Sequence, residues 1–151
     1  MENEVVKQTR RLSQLYAYTS IQMHEAVARK AGISGTDHKY LGFLMQKGQM
    51  TAGELSSLTG LTTGAVTGLI DRFEKKKLVT RRFAEDDRRK VFIEPNTKKI
   101  MALLEPLYKE FRSKSEKMIA SFSDKELKII ETYFINAIAI MDETTSKLNT
   151  K

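Results

Sequence analysis

Eight residues of this chain have the types and spacing to grip a nucleic-acid duplex. Six lie between positions 62 and 72: Thr62, Thr63, Gly64, Thr67, Gly68 and Arg72. Wound at 3.6 residues per turn they share one helix face, with Asp71 beside Arg72, while Val66, Leu69, Ile70 and Phe73 take the opposite face. A threonine can hydrogen-bond to a phosphate or a base edge and can touch a thymine methyl. A glycine lets the backbone approach a groove, at a cost of about 1 kcal/mol of helix stability against alanine. Close packing against another helix is the other reason to place glycines there. Arg72 is the one long donor on that face, and an ion pair with an acidic neighbour is its alternative employment. The remaining two residues, Arg88 and Arg89, directly follow Glu85-Asp86-Asp87. One arginine can be tied to an aspartate and fix a loop, leaving the other to reach a minor groove. With so few base-reading side chains, phosphate contacts and duplex shape are expected to carry much of the affinity.

The charge distribution agrees. The chain has 151 residues and a formal net charge of +7. Residues 72–99 hold 11 basic and 5 acidic side chains, so nearly all of the excess lies within 28 residues. A localised basic excess beside a groove-shaped helix face is the electrostatic footprint of phosphate binding. Other chemistries are poorly supplied. There is no cysteine, which removes disulfides, thiolate nucleophiles, thiolate metal sites and cysteine redox switches. Two histidines, His24 and His38, are too few for a multi-histidine metal cage, and no glycine-rich phosphate loop follows a strand. Neither an enzyme, a metal centre nor a bound cofactor is expected. The acidic start is not expected to be a secretory leader, and no stretch is long and apolar enough to span a bilayer, which points to a cytoplasmic protein.

The elements that position these residues follow from periodicity and punctuation. A first helix is expected over about 4–30, stopped by Gly32, and a second over about 36–47, ended by Gly48. Thr51-Ala52-Gly53-Glu54 reads as a capping box opening a short third helix. Thr59-Gly60 breaks it, and Thr62 or Thr63 caps a fourth that reaches about Lys76. Two alternating segments, 78–83 and 90–94, read as the strands of a hairpin with a charged tip at 84–89. A fifth helix is expected over about 97–121, bent at Pro106. Ser123-Asp124-Lys125-Glu126 opens a sixth as a second capping box. The expected class is therefore mainly α with a small β-hairpin wing. A winged helix-turn-helix lobe of about 33–95 contains the helix-turn-helix at about 51–76 and the wing at about 78–94. The terminal helices, 1–30 and 97–151, carry apolar stripes too long for that lobe to bury. A second copy would cover them, as a homodimer with recognition helices about 34 Å apart.

The stretch Leu61 to Arg81 closely resembles the recognition helix and following strand of the MarR family of bacterial transcription regulators. It contains Asp71-Arg72-Phe73-Glu74 and Leu78-Val79-Thr80-Arg81. Asp86-Asp87-Arg88-Arg89 is similar to that family's wing signature, and the Ser123 box to the entry of its last helix. The resemblance covers essentially the whole chain. It implies one domain over 1–151 and a homodimer on a pseudo-palindromic double-stranded DNA operator. Repression is the usual outcome, often relieved by a small phenolic or drug-like molecule held between the dimer helices and the DNA-binding lobe. Tyr16, Met23, His24, His38 and Phe43 could line such a site, although core packing explains the Tyr, Met and Phe equally well. Three departures stand out: Lys77 where glycine is usual, Ala84-Glu85 before the wing aspartate, and Glu94-Pro95-Asn96-Thr97 at the start of the fifth helix. Two other readings are a less selective or architectural DNA-binding protein, and a protein-interaction module reusing the fold.

Overall fold

Met50 and Thr51 are the first surprise of the computed structural model, which describes residues 1, 3–87 and 89–150. They form a short strand, β1, antiparallel to the second wing strand, with Met50 opposite Ile93 and Thr51 opposite Phe92. The sheet therefore has three strands in the order β1-β3-β2 rather than the two of a bare hairpin. Two residues are too few to display the alternation that marks a strand in sequence. The others are β2 (Val79–Phe83) and β3 (Val91–Pro95), paired from Val79–Pro95 to Phe83–Val91.

The helices fall close to expectation: α1 (Glu4–Ala31), α2 (Gly35–Lys47), α3 (Ala52–Thr59), α4 (Thr63–Lys75), α5 (Thr97–Ala120) and α6 (Asp124–Asn149). Their ends are chemically specified. Asn3, Ser34, Thr51, Thr62 and Ser123 each accept an orphan backbone N–H at a helix start. Both halves of the Ser123–Glu126 box are made, and at Thr51 the hydroxyl accepts the Glu54 N–H. Gly32 leaves α1 in the left-handed region at φ 78°. α5 runs on through Pro106.

Two compact units result, Met1–Tyr108 and Lys109–Lys151. The first has a continuous apolar core in which Leu41 and Leu44 of α2, Leu55 of α3, Leu69 and Phe73 of α4, Ile93 of β3 and Ile100 of α5 are all but inaccessible. In the second, α6 has no fully buried residue, and Ile129, Ile135, Ile138, Ile140 and Met141 are each more than half exposed.

Candidate nucleic-acid interface

The face that α4 offers to solvent is set by what its other face must do. Val66, Leu69, Ile70 and Phe73 are each no more than 2% exposed, so the helix cannot turn about its axis. That leaves Thr62, Thr63, Gly64 and Thr67 exposed and Gly68 half-exposed. The turn entering α4 is held by three bonds. The Ser56 hydroxyl donates to the Leu61 carbonyl at 2.6 Å, the Thr59 hydroxyl accepts from the Leu61 N–H at 3.2 Å, and Gly60, at φ 74°, returns its N–H to Ser56. The Thr62 hydroxyl accepts the Ala65 N–H at 3.2 Å, which leaves its own proton available outward. Thr67 differs. Its hydroxyl donates to the Thr63 carbonyl at 3.0 Å, so it presents a methyl and lone pairs. The first turn of α4 carries no acidic side chain, and its positive dipole end is not masked.

Neither glycine of α4 is required by packing within the chain. A Cβ on Gly64 would meet nothing within 4 Å, and one on Gly68 would lie 3.6 Å from Nη1 of Arg72, an ordinary contact.

Arg72 takes the second of its two expected employments. Its Nε donates to Oδ2 of Asp37 at 3.0 Å and its Nη2 to Oδ1 at 2.9 Å, a bidentate pair. Asp37 is buried on α2, whereas the Arg72 side chain keeps 56% of its exposure. That hydrogen bonding raises the Arg72 guanidinium further above its ordinary range. The pair locks α4 to α2 while Nη1 lies beside Gly68.

A second clamp was not anticipated from sequence. Arg81 of β2 donates through Nη2 to Asp71 at 2.6 Å and through Nη1 to Glu74, binding the wing to the end of α4. The Asp71 hydrogen bond, with the charges of both carboxylates, raises its guanidinium as well. The available signal was the alternation Val79–Arg81, which turns an arginine toward the helix side of the strand and so calls for a carboxylate there.

At the wing tip the Ala84 N–H donates to the Lys90 carbonyl and the Lys90 N–H to the Asp87 carbonyl, each at 3.0 Å. Asp87 accepts the Arg89 backbone N–H at 2.9 Å and its Nε at 3.3 Å. The Arg89 side chain is 94% exposed, so this contact leaves its guanidinium directed to solvent. Arg88 lies outside the described residues.

A MarR family sequence model matches residues 31–90, the segment containing both clamps and the first wing strand, and ending before the second. The chain is 37% identical over 132 residues to the HTH-type transcriptional regulator YcgE of Bacillus subtilis, covering 85% of this chain and 83% of that one. This chain belongs to the MarR family. Its class of activity is thus DNA-binding regulation of transcription, and it is not an enzyme. The fold agrees: a MarR family protein from Bacillus stearothermophilus superposes with a TM-score of 0.72 at 26% identity, over 94% of this chain and 99% of that one. Streptococcus pneumoniae FabT in complex with DNA superposes with a TM-score of 0.71 at 20% identity, over 92% and 99%.

Within this MarR fold, the five residues considered for an effector are only partly brought together. His24 and His38 stack with ring centroids 5.6 Å apart, and Phe43 packs on Tyr40. Tyr16 is 67% exposed, and Met23 is half-buried. Tyr108, absent from the sequence reading, is the residue on which the two imidazoles converge. It lies 84 and 70 residues from them, beyond any local pattern. A separate cleft of about 510 Å³, lined by Gly32, Ile33, Lys76, Leu78, Lys99 and Leu103 among others, includes none of the five. Among the described residues no group of three or more acidic, histidine or cysteine side chains could hold a metal ion, and no helix is long and apolar enough to cross a membrane.

The departure at Lys77 has a structural answer. Lys77 adopts φ 61°, the left-handed conformation that glycine supplies without strain. Its N–H bonds to Glu74 and that of Leu78 to Phe73, completing the six-to-one and five-to-two pattern of a glycine-terminated helix. Asn96 holds the exit from outside: its side-chain amide donates to the Lys77 carbonyl at 3.2 Å and its N–H to Leu78 at 2.8 Å. Its side-chain oxygen Oδ1 also accepts the Lys99 N–H, at the start of α5.

Proposed function

We propose that the protein is a cytoplasmic repressor, a homodimer on a pseudo-palindromic operator, with α4 in the major groove and the wing reaching the neighbouring minor groove. The observation that carries this reading is the fixed, small-residue face of α4: Thr62, Thr63, Gly64, Thr67 and Gly68 lie outward because the buried stripe opposite permits no other orientation. Arg89 and Arg88 supply the wing contact. Arg72 acts from its pair with Asp37, setting the pitch of α4 and offering Nη1 toward the duplex. The exposed apolar side chains of α6 and those of α1, including Leu12, Leu15 and Ile21, support pairing with a second copy, since isolated patches of this extent are uncommon on monomers. The domain limits read from the sequence belong to the same proposal: one functional domain over 1–151, with a DNA-binding lobe at about 33–95. Release by a small phenolic or drug-like molecule is its regulatory half, with Tyr16, Met23, His24, His38 and Phe43 as the residues to test.

Selection of duplexes from a random pool, followed by footprinting in competitor DNA, tests the core of the reading. A bounded footprint with two half-sites one helical turn apart is expected, whereas uniform protection would favour the architectural alternative. Affinity should fall with salt at a slope of about −0.9 per phosphate neutralised. Arg89→Ala should weaken binding on all sequences and reduce the slope by about 1 if its contact is a phosphate. An unchanged affinity in both Arg88→Ala and Arg89→Ala would remove the wing from the interface.

A further inference from the structure

The phenol oxygen of Tyr108, in the N-terminal half of α5, is contacted from two sides. Nδ1 of His24 on α1 lies 2.6 Å away and Nε2 of His38 on α2 lies 3.1 Å away. All three rings are half-buried and lie within the first unit. We propose that His24, Tyr108 and His38 form a proton-operated latch that joins α1, α2 and α5 and opens when both imidazoles are protonated.

The argument is a count of protons. A phenol has one hydrogen to donate and lone pairs to accept with. With both imidazoles neutral, Tyr108 donates to one ring nitrogen and accepts the N–H of the other. With one imidazolium, the charged ring donates to the phenol oxygen, and the phenol donates to the neutral ring. With two, both facing nitrogens are donors, the phenol hydrogen has no acceptor, and two like charges stack 5.6 Å apart. The latch therefore tolerates the first proton and breaks on the second.

The surroundings do little to rescue that state. On α1 the neighbouring carboxylate is Glu25, whose side chain lies against Gly35. On α2, Asp37 is committed to Arg72, and the Lys39 amine lies over the Tyr40 and Phe43 rings. On α5, Glu105 stands one turn before Tyr108; it has an interaction of its own, and its Oε2 is buried without a hydrogen bond. Burial first, and the charge of His24 second, hold the His38 imidazole below its usual range. Its neutral form is therefore favoured in the closed latch. Closure is complete above about pH 6.5, the ordinary imidazole value, and is lost as pH falls below it. His38 adjoins Asp37 in the first turn of α2, so opening the latch disturbs the residue that holds Arg72 and, through it, the recognition helix.

The DNA consequence rests on the function proposed above, whereas the latch can be tested without it. The imidazole signals of the intact protein are followed by NMR from pH 8 to 5. His24→Gln and His38→Gln provide the assignments. Two steps separated by a unit or more are expected in the wild type, the lower one below 6.5. The gap should narrow in Tyr108→Phe, because the singly protonated state loses its bridge. Two imidazoles that titrate together near 6.5, or a gap unchanged in Tyr108→Phe, would overturn the latch. Binding to a duplex selected at pH 7.5 gives the second arm. The wild type should lose about tenfold in affinity at pH 5.5, and His24→Gln less than threefold because it cannot take up the second proton. Equal losses in both would overturn the coupling. If no duplex is selected, the DNA reading fails while the titration still decides the latch.

Discussion

Gly64 and Gly68 allow stability and binding to be separated within one helix. Gly68 is interior to α4, and its Cβ position is in ordinary contact only with Nη1 of Arg72, so Gly68→Ala meets no clash. The gain is then the helix propensity difference, about 1 kcal/mol. Gly64 has open space at its Cβ position but lies in the first turn, where helical hydrogen bonding is incomplete, so about half that gain is expected. The double variant should be more stable by about 1.5 kcal/mol, a rise of roughly 3–6 °C in Tm for a domain of this size. Thermal unfolding by circular dichroism, at equal protomer concentration, measures it. The same two methyls would stand between α4 and a groove it approaches by its backbone. Affinity for a selected duplex, read by fluorescence anisotropy, should therefore fall about tenfold, equal to about 1.4 kcal/mol. Higher stability with unchanged affinity would refute the placement of this face against DNA. Lower stability would show instead that the glycines serve packing.

Lys77→Gly should raise stability by about 1 kcal/mol, because an L-residue at φ 61° carries a strain that glycine does not. Lys77→Ala is the control for lost charge and should show no such rise in thermal melts. Asp37→Ala should cost about 1–2 kcal/mol, less than a fully buried pair because Arg72 remains solvated, and should weaken DNA binding beyond its effect on Tm. If melting falls while affinity for a selected duplex holds, the pair is structural only.

Much of the fold was legible because it depends on local signals. The stripe Val66–Leu69–Ile70–Phe73 identified the buried side of α4, and with it the outward face. The caps at Thr62 and Ser123 and the stop at Gly32 set helix ends within a residue or so. What escaped was long-range or too short. Met50–Thr51 has no readable period. The Asp37–Arg72 pair joins residues 35 apart, and nothing local marks Asp37 as more than a first-turn acid. Tyr108 lies among the apolar positions of α5, and only the fold turns its hydroxyl toward His24 and His38. Arg81 was the nearest miss: its place in the alternation of β2 turned it toward two carboxylates spaced three apart on α4.

That last clamp bears on how any signal could reach DNA. Arg81 grips both Asp71 and Glu74, and Asn96 secures the Lys77 bend between them, so helix and wing are the two arms of a set caliper. The gap between the major-groove and minor-groove contacts is fixed inside a single lobe. Such a tool measures only one width, and it cannot be loosened gradually by bending an arm. In the proposed dimer, an effector or a proton that shifts α4 at its Asp37–Arg72 tether would carry the wing with it, so induction would consist of a whole caliper losing register with the operator repeat rather than of a change in its gap.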